Sequence, residues 1–196
     1  EPRLSFAGET LRFSGNGVVD IGTQPARPAI LAGLDNGRII NGPGHTLRVA
    51  GRLYAGRIAG FVGNETSRNL ALTNEGVITS EERGAGLSVR LNSDSHFNSG
   101  TIQAVDGAQF SISSQKGTLF NSGLSVARGG GDLRLFDTSF VNETAGVVRA
   151  VNDAAIEFHV DPDQQLENRG LVEAIGAGGR IVMSGKQLDN QGGGVV

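Results

Sequence analysis

The tripeptide Asn-x-Gly recurs through the second half of the chain at a nearly constant interval. Five copies keep the tripeptide and a sixth, between Asn142 and Gly146, carries two extra residues. The six asparagines are Asn74, Asn98, Asn121, Asn142, Asn168 and Asn190, and the six glycines are Gly76, Gly100, Gly123, Gly146, Gly170 and Gly192. Successive glycines lie 24, 23, 23, 24 and 22 residues apart. Self-similarity at a fixed period of about 20 to 50 residues is the signature of a stacked repeat architecture.

Apolar or small residues alternate with polar ones on both sides of each asparagine. In the first copy, Leu72 precedes Asn74 by two residues, Ile78 follows Gly76 by two, and Ser80 by four. Later copies place alanine where the first has serine, which gives the consensus Leu-x-Asn-x-Gly-x-Ile/Val-x-Ala. This two-residue period is that of a β-strand. A second alternating stretch follows in every unit, so each unit predicts two or three short strands.

Strands this short cannot bury an apolar face alone, but stacked copies of one unit can. The arrangement that places each residue beside its equivalent in the next unit is a single-stranded parallel β-helix, or β-solenoid. The sequence therefore predicts an all-β fold with about 23 residues per coil and coils about 4.8 Å apart. The same alignment places Arg134 opposite Glu157 on the outer surface, which predicts an ion pair between coils.

The asparagines share the strand parity of the buried residues, so they are expected to point inward or to lie at a corner. Stacked asparagine side chains can bond to one another and to the backbone groups that a corner leaves unpaired. The glycine two residues later suits a position that needs a positive φ or a close approach to the neighbouring coil. Together, the six asparagines and six glycines are predicted to form a structural ladder along the solenoid.

The repeat weakens towards the N-terminus. Residues 1–50 are interpreted as irregular coils of the same solenoid, in which Leu34–Ile39 resembles the motif with one residue missing. Residues 51–196 are interpreted as the regular part, beginning with Gly51–Ala55, which matches the second half of the consensus. Because Gly192–Val196 begins another unit, we expect one continuous domain cut from a larger protein.

Composition excludes several functional classes. Glycine fills 31 of 196 positions and cysteine is absent, which rules out disulfides, cysteine-ligated metals and a thiol nucleophile. The 17 basic and 20 acidic residues give a net charge of −3 without a basic stripe, so nucleic acid is not an expected partner. No apolar run approaches the roughly 18 residues of a membrane span.

The consensus string, from about Gly51 to Val196, resembles the haemagglutinin-type repeats of filamentous-haemagglutinin-like bacterial adhesins and autotransporter passenger regions. The resemblance implies a right-handed parallel β-helix at the bacterial cell surface or outside the cell. It also implies a non-enzymatic role as a rigid stalk, adhesin, filament subunit or surface-presentation scaffold. The expected partners are further copies or coils of the same protein, and a host surface or glycan.

The alternative is a polysaccharide lyase or hydrolase of the pectinase-like β-helix type, which needs carboxylates that converge on neighbouring coils. The candidates are Asp106, Asp132 and Asp153, which fall near the first turn of three consecutive units. We favour their interpretation as solvated turn residues, because aspartate is common in turns. The three histidines are scattered without a partner at metal-ligand spacing, so we expect no catalytic residue, metal or cofactor.

Overall fold

Parallel β-strands make up all the regular structure of the described part of the chain. The computed structural model describes residues 3–5, 9–21, 29–32, 37–50, 60–62, 70–114, 117–185, 188–191 and 194–196. Within these ranges there are 23 strands and no helix, and the strands form three sheets.

Each sheet takes every third strand. Sheet A contains β1 (Arg3–Ser5), β4 (Ala29–Ala32), β7 (Gly60–Val62), β10 (Gly86–Leu91), β13 (Gln109–Ser114), β16 (Asp132–Phe136), β19 (Ala155–His159) and β22 (Arg180–Ser184). Sheet B contains β2 (Thr10–Phe13), β5 (Arg38–Asn41), β8 (Ala71–Asn74), β11 (Ser95–Asn98), β14 (Thr118–Asn121), β17 (Ser139–Asn142), β20 (Leu166–Asn168) and β23 (Asp189–Asn190). Sheet C contains β3 (Val18–Asp20), β6 (Thr46–Ala50), β9 (Val77–Glu81), β12 (Thr101–Val105), β15 (Leu124–Arg128), β18 (Val147–Val151) and β21 (Leu171–Ile175).

The chain runs through sheets A, B and C in turn and then starts the next coil. Each strand from β1 to β20 pairs in parallel with the strand three places further along, so equivalent residues of successive units are register partners. Asn98, for example, lies opposite Asn121, and Ala104 opposite Ala127. The predicted β-solenoid with about 23 residues per repeat is therefore confirmed. Its handedness stays a prediction.

One apolar core runs along the inside of the coils. It extends as a single cluster from Ile21 to Val172, and its largest fully buried side chains include Phe110, Phe140 and Phe158. The rings of Phe140 and Phe158 lie 5.0 Å apart between centroids. The alanine column is fully buried at Ala104, Ala127 and Ala150, as expected where the interior is too narrow for a larger side chain.

The corner from sheet C to sheet A requires a left-handed backbone. The residue after the sheet C strand has φ between 47° and 78° in five successive coils, at Glu82, Asp106, Gly129, Asn152 and Gly176. Gly, Asn and Asp adopt this conformation at the lowest cost, which explains why they predominate at this corner.

The corner from sheet B to sheet C uses glycine for a different reason. None of the described glycines of the repeat motif has a positive φ. A Cβ at Gly123 would instead overlap the carbonyl oxygen of Gly100 in the preceding coil, and a Cβ at Gly100 would overlap that of Gly76. Of the two reasons that the sequence allowed for this glycine column, close approach between coils is the correct one.

The N-terminal motif begins later than the sequence suggested. Asn41, at the end of β5, pairs with Asn74, whereas Asn36 lies outside the described residues. The sequence pattern places the motif too early, because four residues, Gly42–His45, replace the usual two between the asparagine and the sheet C strand. That strand is β6, which pairs with β9. The predicted match at Gly51–Ala55 lies outside the described residues.

We predict that Gly123→Ala destabilises the protein by about 1–3 kcal/mol, because the added methyl group must push two coils apart at a site with no free space. Urea unfolding measures the change. The neighbouring Ser122→Ala is the control: Ser122 is exposed, and its replacement should change the free energy of unfolding by less than about 0.5 kcal/mol. Equal stability of the two variants would contradict the close approach.

Candidate functional site

A ladder of asparagine side chains runs inside the corner between sheets B and C. Each Nδ2 donates to the Oδ1 of the asparagine in the next coil at 2.7–2.8 Å. The seven members are Asn41, Asn74, Asn98, Asn121, Asn142, Asn168 and Asn190. The first six are buried, with at most 1 % of each residue exposed. The six asparagines predicted from the sequence therefore form the expected ladder, which Asn41 extends by one coil.

The ladder also satisfies backbone carbonyls at the corner. Asn41 and Asn74 donate from Nδ2 to the carbonyl oxygens of Val77 and Thr101, each at 3.0 Å. Because the donor of every pair lies on the N-terminal side, all the amide dipoles point the same way along the solenoid. Buried amides that are paired in this way avoid the cost of an unsatisfied polar group.

The C-terminal end of the glycine column differs from the prediction. Gly192 lies outside the described residues, and Gly194 occupies the position that follows Asn190 at the corner. Val195 forms a parallel bridge with Leu171, the residue after Gly170. The spacing from Asn190 to Gly194 equals that from Asn142 to Gly146, so this corner also contains two extra residues.

The three candidate acidic residues lie in two different structural settings. Asp106 and Asp153 are exposed corner residues with φ of 54° and 58°, in coils separated by another coil. Asp132 instead begins β16 on the outer face of sheet A, where Arg134 holds its carboxylate. The positive φ gives a structural reason for aspartate at the two corner positions. Among the described residues, no group of three or more His, Cys, Asp or Glu is placed to hold a metal ion.

Charged side chains do meet on the outer face of sheet A. Arg134 Nε lies 3.2 Å from Glu157 Oε2, which confirms the predicted ion pair between coils. The same arginine binds Asp132, and Arg180 approaches Glu157 at 3.9 Å. The hydrogen bond to Asp132 raises the pKa of Arg134, and the negative charges of Asp132 and Glu157 add to the effect. The face therefore holds its carboxylates in ion pairs with arginine.

His159 lies beside this group of charged side chains. Its ring stacks on Phe136 with 4.8 Å between centroids, its Nδ1 lies 2.7 Å from Ser184 Oγ, and its Nε2 lies 3.4 Å from Glu157 Oε2. The order serine, histidine, carboxylate is that of an activated nucleophile. Here, however, Arg134 also neutralises Glu157, and the His159 side chain is 40 % exposed on an open sheet face. These contacts connect three coils, and no spacing pattern in the sequence indicates them.

The other two histidines are buried. His96 occupies the inward column that holds Leu72 and Leu119, and its Nε2 lies 3.2 Å from Ser114 Oγ. The backbone N–H of Leu72 donates to its Nδ1 at 3.4 Å. These contacts support the structural role expected for His96 from its position in the repeat. His45 lies at the N-terminal end of the asparagine ladder.

Comparison of the chain with known protein families, curated proteins and solved structures gives no match. Within the described ranges, no helix is long and apolar enough to cross a membrane. The function of the chain is therefore inferred from the geometry of its coils.

We predict that Asn121→Leu lowers the free energy of unfolding by about 2–5 kcal/mol, because Asn98 Nδ2 and Asn142 Oδ1 each lose a buried partner. Gln103→Leu is the control, since it replaces an amide by leucine on the outer face of β12. Urea unfolding of both variants measures the difference. A stability of Asn121→Leu equal to that of the wild type would refute the role of the ladder.

Arg134→Gln should lower the free energy of unfolding by no more than about 1 kcal/mol, because the ion pairs lie at a partly exposed surface. The loss should shrink in about 1 M salt, where the screening length falls to about 3 Å. Arg128→Gln, at an exposed position at the end of β15, controls for the loss of an arginine elsewhere. A loss that salt leaves unchanged would indicate that packing, not charge, stabilises this face.

Proposed function

We propose that this chain is a structural β-solenoid that serves as a rigid spacer, filament subunit or adhesive scaffold. The observation that carries the proposal is the unbroken hydrogen-bonded ladder from Asn41 to Asn190, which runs beside one continuous apolar core. The polar groups that meet on sheet A also bond across neighbouring coils. In each case the side chains link one coil to the next.

Rigidity follows from how these contacts are arranged. Six ladder steps of about 4.8 Å span about 29 Å along the solenoid. Bending the solenoid would separate coils on one side and would break buried amide hydrogen bonds, whose unpaired groups each cost about 1–3 kcal/mol. The outward residues are free to vary without changing this framework, so they can supply contacts to a partner.

The proposed setting is the bacterial surface or the extracellular space, supported by the resemblance to haemagglutinin-type repeats. The proposed partners are further coils or copies of the chain, and a host surface or glycan. Among the described residues, Val182 on β22 is 39 % exposed and Ile175 on β21 is 42 % exposed. Exposed apolar side chains on neighbouring strands favour contact with a partner.

Rigidity can be tested by spin labels at Ser99→Cys and Gln191→Cys, two exposed residues that follow ladder asparagines four coils apart. Because the chain has no native cysteine, labelling is specific to these sites. Pulsed electron resonance should give one narrow distance distribution centred near 19 Å plus the label linkers, from four steps of about 4.8 Å. A broad or bimodal distribution in the folded protein would contradict a rigid spacer.

A polysaccharide-active enzyme remains the second candidate, and the observation in its favour is that Asp132, Glu157 and His159 share the outer face of sheet A. The scaffold proposal predicts no turnover of pectin-, alginate- or hyaluronan-like polymers. Turnover that is abolished by Asp132→Asn or Asp153→Asn, and retained by the exposed control Asp161→Asn, would overturn it.

A further inference from the structure

His45 interrupts the glycine column at the corner between sheets B and C. Thr46 pairs with Val18 on one side and with Val77 on the other, so His45 lies between Gly17 and Gly76. The described positions of this column are Gly17, His45, Gly76, Gly100, Gly123, Gly146, Gly170 and Gly194. Among them, His45 is the one residue with a side chain.

The asparagine ladder ends at the same point. Phe13 lies opposite Asn41, so the first coil supplies a ring where an amide would continue the ladder. The Oδ1 of Asn41 is instead 3.0 Å from His45 Nδ1. Because Asn41 Nδ2 donates to Asn74 Oδ1, the atom that faces His45 is the acceptor oxygen. His45 Nδ1 therefore carries a proton and donates it.

The imidazole is packed as well as hydrogen-bonded. Its ring stacks on Phe13 with 5.1 Å between centroids and an angle of 24° between planes. A Cβ built on Gly17 would lie 3.3 Å from ring atoms of His45, so the chain passes directly over the imidazole. Only 6 % of His45 is exposed. His45 and Phe13 together close the N-terminal end of the ladder and attach the first coil to it.

Among the described residues, no carboxylate forms an ion pair with the His45 imidazole. The charged side chains on the elements that pack against it are Arg12, Asp20, Arg38, Arg48, Glu75 and Glu81. Asp20 is bound by Arg48 at 2.6 Å, and Glu75 lies 3.8 Å from Arg12 at the surface. Burial lowers the pKa of His45 from its ordinary value of 6.5, because a charged ring loses its hydration in this position.

We propose that His45 is a pH-sensitive cap, whose protonation releases residues 9–21, the part of the first coil that contains β2 and β3, from the rest of the solenoid. The released state would uncover the edges of β5 and β6, which are templates for the addition of a parallel strand from another chain. The direction follows from linkage. The open coil takes up the proton at a higher pH than the closed coil, so closure is favoured above the ordinary pKa and weakens as the pH falls below it.

Hydrogen exchange tests the proposal at three amides that bond directly to the first coil. The N–H groups of Arg38, Gly42 and Thr46 donate to the carbonyl oxygens of Glu9, Phe13 and Gly17 at 2.8–2.9 Å. The matched controls in the middle of the solenoid are the amides of Thr101, Leu124 and Val147, which bond to the preceding coil at the same corner. Protection factors, corrected for intrinsic exchange, are compared at about pH 7.5 and about pH 5, on either side of the ordinary histidine pKa.

In the wild type, protection of the three test amides should fall at the lower pH, by up to about 30-fold, the limit reached when His45 stays neutral in the closed coil. The control amides should keep their protection. His45→Gln retains a neutral donor and should remove the pH dependence. His45→Phe retains the ring without the donor, so the test amides should be weakly protected at both pH values.

Three outcomes would overturn the proposal. The first is unchanged protection of the test amides in the wild type across the two pH values. The second is the same pH-dependent loss in His45→Gln, which would assign the effect to another group. The third is an equal loss at the control amides, which would show that acid unfolds the whole solenoid without a separate release of the first coil.

Discussion

The rest of the structure depends on one interaction, the hydrogen bond between equivalent asparagine amides of successive coils. A buried amide is costly unless its donors and acceptor are all used, and a single asparagine at this corner would leave groups unpaired. Repetition solves the problem, because each Oδ1 receives the Nδ2 donor of the coil before it. The same contact fixes the strand register, since a shift by one residue would turn the asparagine outward and its neighbours inward.

The other columns depend on this register. Once Asn98 and Asn121 are opposite one another, Gly100 and Gly123 meet where the backbones are too close for a side chain. Alanine and larger apolar residues then stack along the narrow and wide parts of the interior. The corner between sheets C and A has a separate requirement, a residue in the left-handed conformation. Asp106 meets this requirement through its backbone. Acidic turn residues in a solenoid can thus reflect backbone conformation alone.

Much of the solenoid from Gly76 onward was predictable from the sequence. A short motif repeated at nearly equal spacing indicates which residues of successive coils lie opposite one another. The N-terminal coils were harder to predict. There the corner Gly42–His45 contains two residues more than usual, which obscures the motif, and Phe13 stands where later coils have asparagine. The contacts of His159 had no sequence signal either, since Ser184 lies one coil away and Glu157 two residues back on the same strand. Contacts between residues of different types on an outer face produce no repeated pattern in the sequence from which they could be predicted.

The most direct test of the account is nuclear magnetic resonance of the asparagine side-chain amides. The Nδ2 protons of Asn98, Asn121 and Asn142 should show a sequential chain of Overhauser contacts from one coil to the next, and should exchange slowly with solvent. The result that would contradict the account is fast exchange of these protons, or contacts that place Asn98 and Asn142 beside each other without Asn121 between them.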